Sequence, residues 1–235
     1  LAVGIECVGG DGEPPSDDEQ MVSYNVLDPR VQDAVEQLVL DLARRVADRP
    51  MVQGIALACP HDGWLHLPGV AWGLDDATIA RFMSDTGVEM PMKGSGRFAE
   101  RAALVTGVHK AAWLEWRCGQ VAAFHRRLAD AVASEAGAID LHILPTTLFA
   151  EGRLAKRFRP SLTASGGDQG LLREIGFDVQ QITAHPQLVF VRPRVHGGDL
   201  ELVAESSLRA ANRSPRLTAD LSLAGRCAAV HVEMP

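Results

Sequence analysis

The ten residues from Pro60 to Gly69 hold the densest group of reactive side chains in this sequence. They include two imidazoles, one carboxylate and one indole, which belong to His61, His66, Asp62 and Trp64. A carboxylate beside imidazoles can carry out general acid–base chemistry, and an indole offers an apolar face to a ligand. An Asp-Gly pair such as Asp62-Gly63 is also typical of a simple turn, so the residue types leave both interpretations open.

An apolar run lies directly before this segment. Residues 51–59 have a proline on either side and read Met-Val-Gln-Gly-Ile-Ala-Leu-Ala-Cys. Nine such residues are too few for a typical helix and predict a buried strand. Asp62 would then lie just beyond the carboxyl end of that strand, where α/β barrels carry their active sites.

Apolar strand patterns alternate with helical patterns along the rest of the chain. The predicted strands are 1–8, 51–59, 139–146, 188–192 and 227–232. The predicted helices are 29–48, 75–86, 97–135 with a break at 107–109, 150–158, 170–183 interrupted at Gly176, 199–211 and 218–225. Apolar strands separated by helices indicate an α/β protein with a parallel sheet. Since no GxGxxG phosphate turn is present, a partial (β/α)8 TIM barrel is favoured over an open doubly wound sheet.

The composition limits which classes of binding partner are expected. The chain has 235 residues, 46% of them hydrophobic, and a formal net charge of −7 without a basic stripe, which argues against nucleic acid. Neither a signal peptide nor a run of 18 apolar residues is present, so no transmembrane segment is expected. Both ends fall at strand-like runs, which predicts that residues 1–235 are one truncated domain of a longer protein. Signals for secretion or for the cell envelope would lie in the remainder.

The four cysteines are far apart in the sequence and predict free thiols rather than a zinc site. They are Cys7, Cys59, Cys118 and Cys227. A metal site from His61, Asp62, His66 and His142 has suitable ligand types but no recognised ligand spacing. We therefore expect no metal and no cofactor.

Two blocks of sequence resemble a known family. Tyr24-Asn25, Asp28-Pro29 and Val31, followed by a helix and a strand, resemble the opening of the family-10-like glycosyl hydrolase domain of bacteria. The block from Asp62 to Gly87 is similar to uncharacterised bacterial relatives of that group. This resemblance covers residues 20–150 and implies a TIM barrel that hydrolyses glycosidic bonds in a carbohydrate substrate.

The resemblance also implies which carboxylates do the chemistry. In the broad clan of retaining barrel glycosidases, the acid/base follows strand four and the nucleophile follows strand seven. If 51–59 is strand four, then 139–146, 188–192 and 227–232 are strands five to seven, which assigns the two roles to Asp62 and Glu233. Glu6 is a third candidate acid, near another predicted strand end. Such enzymes need one protonated and one ionised carboxyl group.

The remaining candidates would bind substrate. Histidines can orient a carboxylate or hydrogen-bond sugar hydroxyls, and tryptophans can stack on a sugar ring. These candidates are His61, Trp64, His66, Trp72 and Arg192. The alternative function is a non-catalytic barrel module of a larger surface protein, which binds carbohydrate through Trp64 and Trp72 without turnover. Arg117, Gln120 and His125 lie on the predicted helix 97–135 and can reach a site, although no sequence pattern requires it.

Overall fold

The computed structural model describes residues 4–15, 23–59, 65–137, 139–145, 168–196 and 199–205, and only the backbone of 192–205. The predicted strand 227–232 and the predicted helices 150–158 and 218–225 lie outside these residues.

Helices and strands alternate along the described chain. The helices are α1 (Pro29–Val46), α2 (Asp76–Thr86), α3 (Arg97–Thr106), α4 (Lys110–Ala136), α5 (Asp168–Glu174) and α6 (Val179–Thr183). The strands are β1 (Gly54–Ala58), β2 (Asp140–Leu144), β3 (Leu188–His196) and β4 (Asp199–Glu205). The expected breaks at 107–109 and near Gly176 are confirmed, because α3 ends before the first and α5 before the second.

The helix ends follow from residue type. Asp28 caps α1 by accepting a hydrogen bond from the Arg30 backbone N–H at 2.8 Å, with Pro29 as the first helical residue. Asp75 caps α2 in the same way, accepting from the Thr78 N–H at 2.9 Å. Gly87 ends α2 in the left-handed region at φ 73°, which glycine adopts without strain.

The four strands form one sheet in the order β1-β2-β3-β4. β1, β2 and β3 run parallel, so the predicted α/β class and parallel pairing are confirmed. The Cys59 N–H extends the first ladder by donating to the Leu144 carbonyl at 3.0 Å. The carboxyl ends of these three strands therefore share one edge of the sheet.

The two faces of the sheet differ in what covers them. One face is buried and carries the apolar residues Ile55, Leu57, Leu141, Ile143, Leu188 and Phe190. Helix α4 contacts β2 and β3 and also packs against α1, while α6 packs against β3. The opposite face of β1 carries Gly54, Ala56 and Ala58, and both alanines are exposed. On that side of the neighbouring strands, His142 is partly buried and Val189 is buried.

The prediction of a helix at 199–211 is wrong over its first seven residues. Asp199–Glu205 is strand β4, which pairs antiparallel with β3 from Phe190↔Glu205 to His196↔Asp199. The sequence between the two strands is Gly197-Gly198, and a two-residue Gly-Gly link favours a hairpin. Leu200, Leu202 and Ala204 also alternate with other residues at period two, which is a strand pattern rather than a helical one.

β4 also changes the strand count. It pairs with the edge of β3 on which the next parallel strand was expected. The numbering of barrel strands treated 227–232 as the direct neighbour of 188–192 and so placed Glu233 opposite Asp62. Because β4 occupies that edge of β3, the numbering loses its support at this strand.

The predicted strand 1–8 is not part of the sheet in its described portion. Glu6 forms only an isolated antiparallel bridge with Tyr24. The bridge is held by the Cys7 N–H to the Ser23 carbonyl at 2.7 Å and the Asn25 N–H to the Ile5 carbonyl at 2.8 Å. This pairing joins residues 4–8 to the segment that leads into α1.

The described helices include none with the length and apolar character needed to cross a lipid bilayer.

Candidate functional site

The loop that follows β1 is the centre of the candidate site. We call residues 65–75 the carboxyl-edge loop, because they connect the carboxyl end of β1 to α2. Its residues Leu65, Leu67 and Leu74 are fully buried. His61, Asp62 and Trp64 come just before it in the sequence and lie outside the described residues, as does Glu233.

Helix α4 holds the middle of this loop. The Arg117 Nη1 group donates to the carbonyls of Gly69 at 2.8 Å, Val70 at 3.1 Å and Trp72 at 3.4 Å. The Trp113 indole N–H also donates to the Val70 carbonyl, at 2.8 Å. Three carbonyls of the loop backbone are therefore bonded to one helix.

Other elements hold the two ends of the loop. The Leu67 N–H donates to the Ile175 carbonyl at 2.9 Å, just after α5. The Gly73 and Leu74 N–H groups both donate to the Val8 carbonyl at 3.0 Å. The Leu74 carbonyl accepts from Arg101 of α3 at 2.8 Å. Because each bond comes from a different part of the chain, the loop has a single well-defined conformation at this edge.

His66 is fully buried, next to the ring of Phe177. Its Nδ1 atom lies 3.0 Å from the Leu67 carbonyl. A carbonyl only accepts, so Nδ1 is the donor in this contact. The imidazole is not open to solvent.

Trp72, within the loop, and Glu6, two residues before Val8, are both at least partly exposed. Trp72 is half-buried, and its ring covers Gly9, where an added Cβ would lie 2.8 Å from the indole. Glu6 is exposed and lies two residues before Val8, the acceptor for the loop amides. Glu6 and the carboxyl-edge loop therefore belong to the same edge of the molecule. Arg192 lies in β3, in the part described by its backbone alone.

Burial sets the electrostatics around the loop. Arg117 is completely buried, and desolvation lowers its pKa to about 10, so the guanidinium is still charged at neutral pH. Burial raises the pKa of the Cys7 thiol to about 12 and that of Cys118 to about 11. These two thiols and Cys59 are buried and form no disulfide within the described residues, as expected, and Cys227 lies outside those residues.

A metal site is not formed by the part of the chain that the structure describes. No group of three or more His, Cys, Asp or Glu side chains converges there. Of the four ligands considered, His66 and His142 are described, whereas His61 and Asp62 are not.

Sequence reasoning missed the residues that fix the loop. Arg117 and Arg101 lie on amphipathic helices, where an arginine is normally solvent-exposed, yet both are fully buried. Their acceptors are mostly backbone carbonyls distant in sequence, so no local pattern indicates the contact. The one available signal was the proximity of Arg117 to Trp113 and Trp116, which marks the buried face of α4.

Comparison of the chain with protein-family models, with curated proteins and with solved structures finds no match.

Proposed function

We propose that this chain is a glycoside hydrolase domain, related to the family-10-like glycosyl hydrolases, that cleaves a polysaccharide with paired carboxylates. The observation that carries the proposal is the anchoring of the carboxyl-edge loop, which joins the segment containing Asp62 to the edge where Glu6 is exposed. Residue types suited to carbohydrate, Trp72 among them, belong to the same region.

A partial (β/α)8 barrel is the architecture we propose for this domain. In support, β1, β2 and β3 are parallel and follow one another in the sheet in chain order. Helices α4 and α6 contact β2 and β3, whose buried apolar face would be the outer face of the barrel, and the strand order does not reverse as it does in a doubly wound sheet. The opposite face, with the exposed Ala56 and Ala58, would line the barrel interior. The antiparallel β4 is a departure from the standard barrel.

We propose Glu6 as the first-choice partner for Asp62. Asp62 precedes Leu65, the first residue of the carboxyl-edge loop, by three residues. Glu6 precedes Val8, which accepts two hydrogen bonds from the other end of that loop. Glu233 depends on a strand count that β4 interrupts, so we keep it as the second assignment.

The two carboxyl groups would divide the reaction between them. One, in its protonated form, donates a proton to the leaving glycosidic oxygen as the bond to the sugar breaks. The other, ionised, attacks the anomeric carbon or activates the water that does. Differently solvated environments keep the two groups in different protonation states. We assign the first role to Asp62, because the resemblance places the acid/base there and Trp64 is near it in sequence, and the second to Glu6.

The test is reducing-sugar release by the full chain from a panel of neutral and acidic, α- and β-linked polysaccharides. We expect Asp62→Asn and Glu6→Gln each to lower kcat by at least about 100-fold with an unchanged circular dichroism spectrum. Glu13→Gln is the control, since Glu13 is exposed on the same segment as Glu6. Glu233→Gln distinguishes the second assignment.

Two results would contradict the proposal in different ways. Full activity in Asp62→Asn would remove Asp62 from the chemistry. Saccharide binding by the unmodified chain without any release of reducing ends would instead favour the non-catalytic binding module.

A further inference from the structure

Strand β1 forms one edge of the described sheet, because within the described residues it pairs only with β2. The Gln53 carbonyl accepts from the Asp140 N–H, and the Cys59 N–H donates to the Leu144 carbonyl. Successive residues of a strand direct their backbone groups to opposite sides, so the odd-numbered residues of this run face β2. The N–H and C=O groups that point away from the sheet belong to Gly54, Ala56 and Ala58.

This edge lacks the features that normally protect the edge of a sheet. The sequence of β1 is Gly-Ile-Ala-Leu-Ala, which contains neither a charged residue nor a proline. Ala56 and Ala58 are exposed, and Met51, three residues before the strand, is 90% exposed. Natural proteins cover or charge such an edge, because its unpaired N–H and C=O groups bind readily to another strand. The β1 edge therefore has the properties of a surface that another strand covers.

The opposite edge of the described sheet differs in charge. The sequence of β4 is Asp-Leu-Glu-Leu-Val-Ala-Glu, so three of its seven residues are acidic. If two copies of the chain paired through β4, they would bring like charges together, which is unfavourable. Of the two edges, β1 is therefore the one at which copies of this chain can meet.

The β1 edge is complementary to itself in an antiparallel arrangement. A two-fold axis at Ala56 places this residue opposite Ala56 of the second copy, and Gly54 opposite Ala58. Each facing pair exchanges two hydrogen bonds, so the three pairs form about six. The same register places Ile55 opposite Leu57 of the second copy. Both side chains lie on the buried apolar face, so the core continues from one copy into the other.

We propose that the β1 edge joins two copies of this chain in an antiparallel dimer centred on Ala56, with one sheet continuous through both copies. The inference does not depend on the proposed function, because association is measured without a substrate. A five-residue strand on each side buries less than the standard interface of about 1,600 Å², so we expect a dissociation constant of about 1–100 µM.

Sedimentation equilibrium of the full chain from about 1 to 500 µM tests the dimer. We expect a reversible monomer–dimer equilibrium. Ala56→Lys and Ala56→Glu should each raise the dissociation constant at least about fivefold, because two identical charges then face each other across the axis. An equimolar mixture of the two variants should form a heterodimer with a dissociation constant within about threefold of that of the unmodified chain.

Three controls isolate the strand edge and its register. Ala56→Thr adds a side chain without a charge and should retain the dimer. Ala80→Lys makes the same charge change at an exposed alanine of α2 and should leave the dissociation constant unchanged. A mixture of Ala58→Lys and Ala58→Glu should associate no more tightly than either variant alone. In the proposed register the two residues 58 lie about 14 Å apart along the strands, beyond the reach of a screened ion pair.

Several results would overturn the dimer. One is a chain that stays monomeric up to about 500 µM. Others are a dimer that both charged variants at Ala56 leave intact, and a rescue by mixing at residue 58 rather than at 56. Each charged variant should keep the circular dichroism spectrum of the unmodified chain, since Ala56 is exposed.

Amide hydrogen exchange decides whether another part of the same chain covers the edge instead. In dilute, monomeric protein we expect the Gly54, Ala56 and Ala58 amides to exchange without protection, and at high concentration to exchange at least about fivefold more slowly. The Cys59 and Leu141 amides, which bond within the sheet, should be protected at both concentrations. Equal protection of the three edge amides at both concentrations would assign the edge to the chain itself and contradict the proposal.

Discussion

His125 is a buried titratable residue outside the proposed site. It lies on α4 between the rings of Phe124 and Phe177, and neither ring nitrogen has a hydrogen-bond partner among the described residues. Burial lowers the pKa of its imidazole from 6.5 to about 4. His125 is therefore neutral in the folded protein at neutral pH.

This shift predicts a pH dependence of stability. Between pH 6.5 and 4 the unfolded chain binds a proton at His125 and the folded chain does not, so the free energy of unfolding falls as the pH falls. The His125 contribution is fully present above pH 6.5, and the loss over this window is about 3 kcal/mol. His125→Phe should remove that loss, measured by urea unfolding at a series of pH values.

Phe124→Leu is the control for this experiment. It alters the packing beside His125 but keeps the imidazole, so it should lower stability at every pH and retain the dependence on pH. If His125→Phe and the unmodified chain lose stability in parallel from pH 6.5 to 4, the assignment to His125 is wrong.

Single residues also show which contacts can be predicted from sequence and which cannot. The predicted helix starts near Asp28 and Asp75 agree with α1 and α2, because a cap acts on the backbone two or three residues away. The burial of Arg117 was not recognised, because its partners Gly69 and Glu174 are 48 and 57 residues away in the sequence. A contact of that kind depends on how the helices pack on the sheet.

At the scale of elements, Gly54 controls how closely β1 approaches β2. A Cβ added there would lie 2.7 Å from the Asp140 carbonyl oxygen and 2.9 Å from two atoms of the His142 ring. The imidazole thus lies across the bare Cα of Gly54. This contact helps to set the register in which Gly54 pairs with Asp140.

Gly54→Ala should therefore separate the two strands. We expect a decrease of about 1–3 kcal/mol in the free energy of unfolding, because backbone must move to admit the methyl group. Gly170→Ala is the matched control, since Gly170 is exposed in α5 with no atom within 4 Å of the added Cβ. That change should be neutral or stabilising by up to about 1 kcal/mol. Equal stability of the two variants in urea unfolding would contradict the close β1–β2 contact.

Element boundaries were predictable where local signals agreed. The strands predicted at 51–59, 139–146 and 188–192 correspond to β1, β2 and the first half of β3. The helix predicted at 199–211 is wrong over β4, because the sequence Gly197-Gly198 before it favours a hairpin rather than the start of a helix at Asp199. Residues 4–8 are as apolar as a strand, but whether such a run joins a sheet depends on which edges are available.

At the scale of the whole molecule, helices pack on the apolar residues of the described sheet, and the candidate site is proposed at its carboxyl edge. Helices α1, α4 and α6 form a continuous apolar layer with the sheet, and the amino-terminal half of α4 extends to the carboxyl edge. Arg117 and Trp113 belong to that half, so the same helix packs the core and holds the carboxyl-edge loop. Rigid support of a loop by a helix is a common way to position residues that react.

We propose that Asp62 and Glu6 act as a pair, and the distance between their carboxyl groups in a crystal structure of the full chain tests that pairing. We expect both groups to face the same cleft, at about 5–5.5 Å for a retaining mechanism or about 6.5–9.5 Å for an inverting one. Carboxyl groups more than about 10 Å apart, or on opposite edges of the sheet, lie outside the separation that either mechanism allows and would rule out the pairing.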